Sequence, residues 1–323
     1  MAARPSLTAA PPPVVDIVAA VGNTPMVELR RLAPRPGIRL FAKLEGANPT
    51  GSVKDRVVRA MLDDARRSGA LHPGQTILEP SSGNTGISLA MMGRRLGHPV
   101  RIVLPDNTTP ERVAMLRLSG AEIIPSPGSE GSNGAIWAAR ALAAEDASLF
   151  MLDQYANAAN PAAHEATTGP EITAQVPDLD VFVAGLGTGG TLTGVGRHLH
   201  RVRPGARVVA AEPLPGELVQ GLRSLDEGFV PTVLDLAVID DKRLVSNRDA
   251  LIGLRRLMQE EGVFAGLSSG AAIHVALRVA SEASGDLTIV VLLADGGWKY
   301  LSAGLWTRDL DDLEVELEAA LLW

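Results

Sequence analysis

Asn48-Pro49-Thr50-Gly51-Ser52-Val53-Lys54-Asp55-Arg56 sets a lysine at the mouth of a helix, behind a Pro/Gly loop that cannot itself be helical. From Lys54 onward, Val57, Val58, Met61, Leu62 and Ala65 fall on one face at helical spacing, and Gly69 ends the run. A lysine in the first turn opposes the helix dipole. It either points into solvent or is held there for its amine, whose proton affinity drops on burial. Further along comes Ser81-Ser82-Gly83-Asn84-Thr85-Gly86, small and hydroxylated, between the strand Thr76-Ile77-Leu78-Glu79-Pro80 and an apolar helix opening at Ile87. Such a turn offers backbone N–H groups and the positive end of a helix to an anion. An amine beside a carboxylate cradle points to Schiff-base chemistry on an amino acid.

Outward from these loops, apolar runs at 76–79, 100–104, 121–124, 149–152, 181–185, 208–211 and 288–294 read as strands. Each is short and unalternating, and a helix-length segment separates it from the next. Strands apolar on both faces and joined by helical crossovers predict an α/β fold with mostly parallel sheets covered on both sides. Thr108-Thr109-Pro110-Glu111 offers a capping box for one helix, which Gly120 closes. Neither a repeat nor a Ser/Gly linker marks an appended module.

With 323 residues, 46% of them hydrophobic, the chain can bury a sizeable core and exceeds one small domain. Its net charge of −7 gives no electrostatic case for nucleic acid. No apolar run reaches the length of a membrane span, and residues 1–13 are Ala/Pro-rich without an apolar signal core. These features favour a loose N-terminal tail and the cytoplasm. The absence of cysteine removes disulfides, thiolate nucleophiles and Cys-ligated metals, and the six histidines show no metal-hydrolase spacing. No metal is expected.

Gly187-Thr188-Gly189-Gly190-Thr191 follows a strand and precedes a helix, so its N–H groups can surround a phosphate. Read from Gly185, however, the same segment is a G-x-G-x-x-G, and Glu212 ends the next strand where a ribose-binding acid would stand. On this segment a dinucleotide site and a cofactor-phosphate cup are both open. Taken singly, Lys54 reads as a solvated lysine, Ser81 to Thr85 as a turn capping a helix, and Gln154 carries no signal.

Five motifs in order, Gly22-Asn23-Thr24-Pro25, the lysine and Ser-Ser-Gly-Asn-Thr-Gly loops, Gly185 to Thr191, and Gly266-Leu267-Ser268-Ser269-Gly270, resemble the pyridoxal-phosphate-dependent cysteine synthase family. This is the fold-type II, tryptophan-synthase-β-like class. The resemblance implies two lobes, a small mobile substrate lobe over 48–153 and a larger cofactor lobe over 1–47 and 154–323. It makes Lys54 the Schiff-base lysine and proton shuttle of pyridoxal 5'-phosphate. Ser81, Ser82, Gly83, Asn84 and Thr85, with Gln154, would hold the substrate carboxylate, and Asn84 would also meet the cofactor's ring oxygen. Gly187, Thr188, Gly189, Gly190 and Thr191 would hold its phosphate. Ser268 would meet the pyridine nitrogen, where a hydroxyl makes a weaker electron sink than a carboxylate and favours β-elimination.

Arg223, in Gln220-Gly221-Leu222-Arg223-Ser224, bears on the substrate. With Asp226-Glu227-Gly228-Phe229-Val230-Pro231 and Gly297-Trp298-Lys299-Tyr300-Leu301 it is similar to the actinobacterial O-phosphoserine sulfhydrylases, where an arginine suits a phosphate leaving group. The bland reading is an exposed helix arginine. The resemblance thus implies a transferase making L-cysteine from O-phospho-L-serine, as a homodimer, with sulfide or the thiocarboxylate of a small sulfur-carrier protein as donor. It also implies a C-terminal tail, 309–323 ending in Leu322-Trp323, that folds over the site or packs as a helix. An O-acetylserine sulfhydrylase is the alternative within the family. Outside it stand a nicotinamide-dependent oxidoreductase and a pyridoxal-free binding protein.

Overall fold

The computed structural model describes residues 13–319 except Ser82 and Leu218, with the side chains of Glu227 and 317–319 also left out. The expected roles of Ser82, of the N-terminal tail to residue 12 and of Leu322-Trp323 therefore lie outside the described residues.

Ten strands form two sheets among those residues. Strands β1 (Met26–Glu28), β2 (Ile38–Leu44), β7 (Val181–Gly185), β8 (Arg207–Pro213), β9 (Asp241–Val245) and β10 (Leu287–Leu293) build a six-stranded sheet ordered β1-β2-β10-β7-β8-β9. Only the β1–β2 pair in it is antiparallel. Strands β3 (Thr76–Pro80), β4 (Val100–Pro105), β5 (Glu122–Ser126) and β6 (Leu149–Met151) form a four-stranded parallel sheet ordered β5-β4-β3-β6. Helices α1 (Lys54–Arg67), α2 (Asn84–Arg95), α3 (Pro110–Leu118) and α4 (Gly131–Glu145) run among the strands of the smaller sheet. Then follow α5 (Ala159–Ala163), α6 (Gly169–Gln175), α7 (Gly190–Val202), α8 (Asn247–Glu261), α9 (Leu267–Glu282) and α10 (Leu310–Ala319). This is the α/β, fold-type II arrangement expected.

The unalternating strands have a direct physical cause. Along β7, Val181 and Val183 enter the core under α8 and α9, whereas Phe182 and Ala184 enter a second core with Leu192, Val195 and Leu199 of α7. Both faces are covered, so every position must be apolar. The smaller sheet repeats this, with Ile77 in the core of α1 and α2 and Leu78 against Ala135 and Ala139 of α4.

All seven expected strands are present, with ends shifted by a few residues, but β1, β2 and β9 were not expected. The capping box at α3 is also corrected. Thr109 makes no side-chain cap, and the Glu111 carboxylate instead accepts the N–H and hydroxyl of Ser302 at 2.6 and 2.7 Å.

Candidate active site

Lys54 opens α1 because the residues beside it hold its loop. The Asp55 carboxylate accepts the Thr50 N–H at 2.7 Å and the hydroxyls of Thr50 and Ser88, tying the loop to the start of the helix. Arg56 is buried against Glu45 and Glu171, both at 2.7 Å. Burial would raise the Glu171 carboxyl, but hydrogen bonds from Arg56 and Lys43 outweigh it and bring its pKa down to about 2. Asp55 and Arg56 thus anchor the turn and leave the lysine free.

Lys54 lines a cavity of about 260 Å³, together with Ser81, Gly83, Asn84, Thr85, Gln154, Gly187, Thr188, Arg223 and Ser268. A second pocket of about 40 Å³ shares Lys54, Gly187, Thr188 and Ser268 and adds Gly189 and Thr191. Gly190 lines neither. It starts α7, where an added Cβ would come 1.9 Å from Asn160 Oδ1, so its glycine serves packing. Burial lowers the Lys54 amine to a pKa of about 8, with Asp295 pulling it partly back. That amine has no hydrogen-bond or ion-pair partner among the described residues.

The glycine loop is crowded by backbone. A Cβ at Gly187 would meet the Gly221 carbonyl at 2.8 Å, and Gly189 is left-handed at φ +82°. Thr188 Oγ1 receives Asn160 Nδ2 at 3.1 Å, and Thr191 Oγ1 lies 3.3 Å from the buried His164 ring. Burial, with Arg56 and Lys54 nearby, keeps His164 neutral by holding its pKa well below the usual imidazole value. Ser268, at the start of α9, is 6% exposed, and its hydroxyl has no partner among the described residues. An unpaired amine, an unpaired hydroxyl and a helix N-terminus on a glycine loop fit an aldehyde, a ring nitrogen and a phosphate.

Ser81 Oγ accepts the N–H groups of Gly83 and Gly86 at 3.3 and 2.9 Å, so it caps α2 while lining the cavity. Thr85 Oγ1 donates to Gln154 Oε1 at 2.7 Å. Behind them the buried Glu79 carboxyl group takes the N–H groups of Asp153 and Gln154 at 2.9 and 3.0 Å and fixes Asp153 in a left-handed turn at φ +51°. Arg223 lies in a non-helical segment and is 8% exposed. Its guanidinium stacks 4.8 Å over Phe229 and 5.5 Å over Tyr155, and Nη1 donates to Asn133 Oδ1 at 2.9 Å.

Sequence reasoning missed Arg112, Asn133, Tyr155 and Tyr300 on the cavity wall, and Asp295 and Lys299 behind Asn84. The signal available for the last two was a charged pair just past the carboxyl end of a buried parallel strand, where ligands gather in α/β sheets. Glu212 answers the dinucleotide question. It is buried, paired with Lys242 at 2.7 Å and hydrogen-bonded by the Leu225 N–H at 2.7 Å, and lines neither pocket.

No group of three or more His, Asp or Glu able to hold a metal occurs among the described residues, and none of their helices is long and apolar enough to cross a membrane. A family model described as pyridoxal-phosphate dependent enzyme matches residues 17–295. Cysteine synthase of Staphylococcus aureus is 41% identical over an alignment of 306 residues that covers 92% of this chain and 98% of that one. The crystal structure of O-ureido-L-serine synthase matches with a TM-score of 0.86 at 41% identity, over 91% of this chain and 96% of that one. A hydrogen sulfide-producing enzyme from Fusobacterium nucleatum gives 0.84 at 33% identity, over 89% and 99%. This chain therefore belongs to the pyridoxal-phosphate-dependent cysteine synthase family, an enzyme of the β-replacement type whose cofactor is pyridoxal 5'-phosphate.

Proposed function

We propose that this enzyme converts O-phospho-L-serine and a sulfur donor to L-cysteine. The observation that carries the reading is Arg223, a buried guanidinium on the cavity wall, steadied by Tyr155, Phe229 and Asn133. A buried, pre-oriented guanidinium recognises a phosphate bidentately and has little use for an acetyl group. Pyridoxal 5'-phosphate, when bound, supplies the electron sink that makes the substrate's α-proton acidic. Lys54 Nζ would take that proton and later return it, and a pKa near 8 suits an amine that must do both near neutrality. The backbone of Gly83 to Thr85, with Thr85 and Gln154, would hold the substrate carboxylate, and Arg223 would neutralise the departing phosphate.

Residues 48–153 would act as a mobile lobe closing over the substrate, in a homodimer working in the cytoplasm. Sulfide or a small sulfur-carrier protein's thiocarboxylate would supply the sulfur. One observation favours O-acetylserine as a second reading. Glu130 lines the same cavity, and its carboxylate would oppose a phosphate dianion. Steady-state kinetics with the two substrates test the choice. A kcat/KM higher for O-phosphoserine is expected, and a clear preference for O-acetylserine would remove the phosphate reading.

A further inference from the structure

Asn84 begins α2 at the cavity wall, and its side chain is gripped at both ends. Lys299 Nζ donates to Asn84 Oδ1 at 2.5 Å, and Asn84 Nδ2 donates to Asp295 Oδ2 at 2.8 Å. A carboxamide is nearly symmetric in shape, so its orientation depends on what its neighbours can exchange. An ammonium can only donate and a carboxylate can only accept. Turning the Asn84 amide over would set N–H against N–H and oxygen against oxygen, in a site with little water to relieve either. The grip permits one orientation. Of the two Nδ2 protons, one goes to Asp295 and the other is left for an acceptor in the cavity.

Both gripping residues are themselves fixed. Lys299 has 0% exposure and also donates to the Gly51 carbonyl at 3.2 Å, so one amine ties the Lys54 loop to the start of α2. Asp295 is 2% exposed, takes the Tyr300 hydroxyl at 2.8 Å on the same oxygen, and pairs through its backbone with Ser52. Burial lowers the Lys299 amine to about 8, while Asp295 and Asp55 pull it back up. A neutral amine could accept as well as donate, but the Asp295 carboxylate on the other side still requires the Nδ2 donor, so the amide orientation survives titration of Lys299.

We propose that Lys299 is a positioning residue for the cofactor, holding Asn84 so that an N–H and not its carbonyl oxygen is left for the ring oxygen of pyridoxal 5'-phosphate. This rests on the reading that Asn84 meets that oxygen. Its role goes beyond the Schiff-base lysine, and it explains why a second lysine lies buried behind the site.

A double-mutant cycle tests it on the full-length chain, read as the visible absorption maximum of the holoenzyme and the Kd for pyridoxal 5'-phosphate after removal of the cofactor. Asn84→Ala alone should shift the maximum and weaken binding by about tenfold, a loss of about 1.4 kcal/mol. Lys299→Met should shift the maximum in the same direction with a similar loss. In the Asn84→Ala background it should add no more than about twofold, since the side chain it orients is gone. Should Lys299→Met fail to fold, Lys299→Leu, which likewise has no donor, carries the same test. A wild-type maximum and affinity in the lysine variants, or losses that multiply in full, would overturn the proposal while leaving Asn84's own role intact. An unchanged Asn84→Ala protein would overturn both.

Discussion

Lys54 and Lys299 are two amines taken out of water in the same part of the molecule, and burial brings the pKa of each to about 8. Asp295 acts on both, raising their proton affinity from one carboxylate. They differ in partners. Lys299 gives its protons to Gly51 and Asn84, whereas Lys54 finds no partner among the described residues although it stands on the cavity wall. A perturbed pKa alone does not single out a reactive lysine, because structural lysines are perturbed too. What distinguishes Lys54 is a desolvated amine left with unused hydrogen-bonding capacity at a place a ligand can reach. One amine is arranged to react and the other to hold.

That contrast can be broken most sharply at Lys54. Lys54→Ala should lower turnover by about 10²–10⁴-fold or more and abolish the visible band of the lysine-linked cofactor. Compared as apo-proteins, its unfolding free energy should equal or exceed wild type, since no hydrogen bond is lost. A variant that turns over at the wild-type rate would end the assignment.

Arg223 comes next in size. Removing a charge-assisted contact to a phosphate costs about 1.5–3 kcal/mol, so Arg223→Ala should lose about one to two orders of magnitude in kcat/KM for O-phosphoserine. O-acetylserine, with no dianion to hold, should be almost unaffected. Equal loss on both substrates would show only a damaged site.

Lys299→Met inverts the Lys54 pattern. It leaves Asn84 Oδ1 without its donor and takes from the Gly51 carbonyl one of two, the Gly296 N–H remaining, which should cost about 1–3 kcal/mol of stability in urea unfolding. If its stability matches wild type, the two lysines are not divided between holding and reacting as argued.

A further prediction, read from the pH dependence of stability, extends the comparison to a buried acid. Burial raises Glu79 from 4.5 to about 8, although the N–H groups of Gln154 and Asp153 pull the other way. Between those values the unfolded chain has released a proton that the folded protein keeps, so stability falls as pH rises from 4.5 towards 8. Glu79→Gln cannot ionise and should remove that share. The unfolding free energy of wild type minus that of the variant should decline through this window, and a difference flat with pH would refute the shift.

How much of this was legible in the chain depended on how locally each constraint is written. The lysine turn, the Ser-Ser-Gly-Asn-Thr-Gly loop and the glycine loop are confined to short strings, because backbone N–H groups must be presented from consecutive residues. The doubly covered strands were readable for the same reason, each being a solid apolar run. Strand β2, Ile-Arg-Leu-Phe-Ala-Lys-Leu, was not, since Arg39 and Lys43 interrupt it. Lys43 is nevertheless buried, made tolerable by Glu171 at 2.8 Å. Strand β9, Asp-Lys-Arg-Leu-Val, carries three charges as a sheet edge and shows no apolar pattern. The grip on Asn84 was illegible because its partners Asp295 and Lys299 stand 211 and 215 residues away. The glutamate of the apparent capping box likewise went to Ser302, 191 residues on.

The place of β10 between β2 and β7 has a consequence for how the chain is made. The strands of the smaller sheet, ending at residue 151, leave the ribosome in one uninterrupted series and can pair as they appear. The larger sheet cannot close this way, because its central strand, residues 287–293, is synthesised after all five of the sheet's other strands. Until it arrives, β2 and β7 each present an unpaired backbone edge, a hazard for wrong pairing in a crowded cell. The interval before β10 emerges is therefore when the nascent chain most needs a chaperone, and a stalled or truncated message ending before β10 would yield an aggregating product rather than a smaller enzyme.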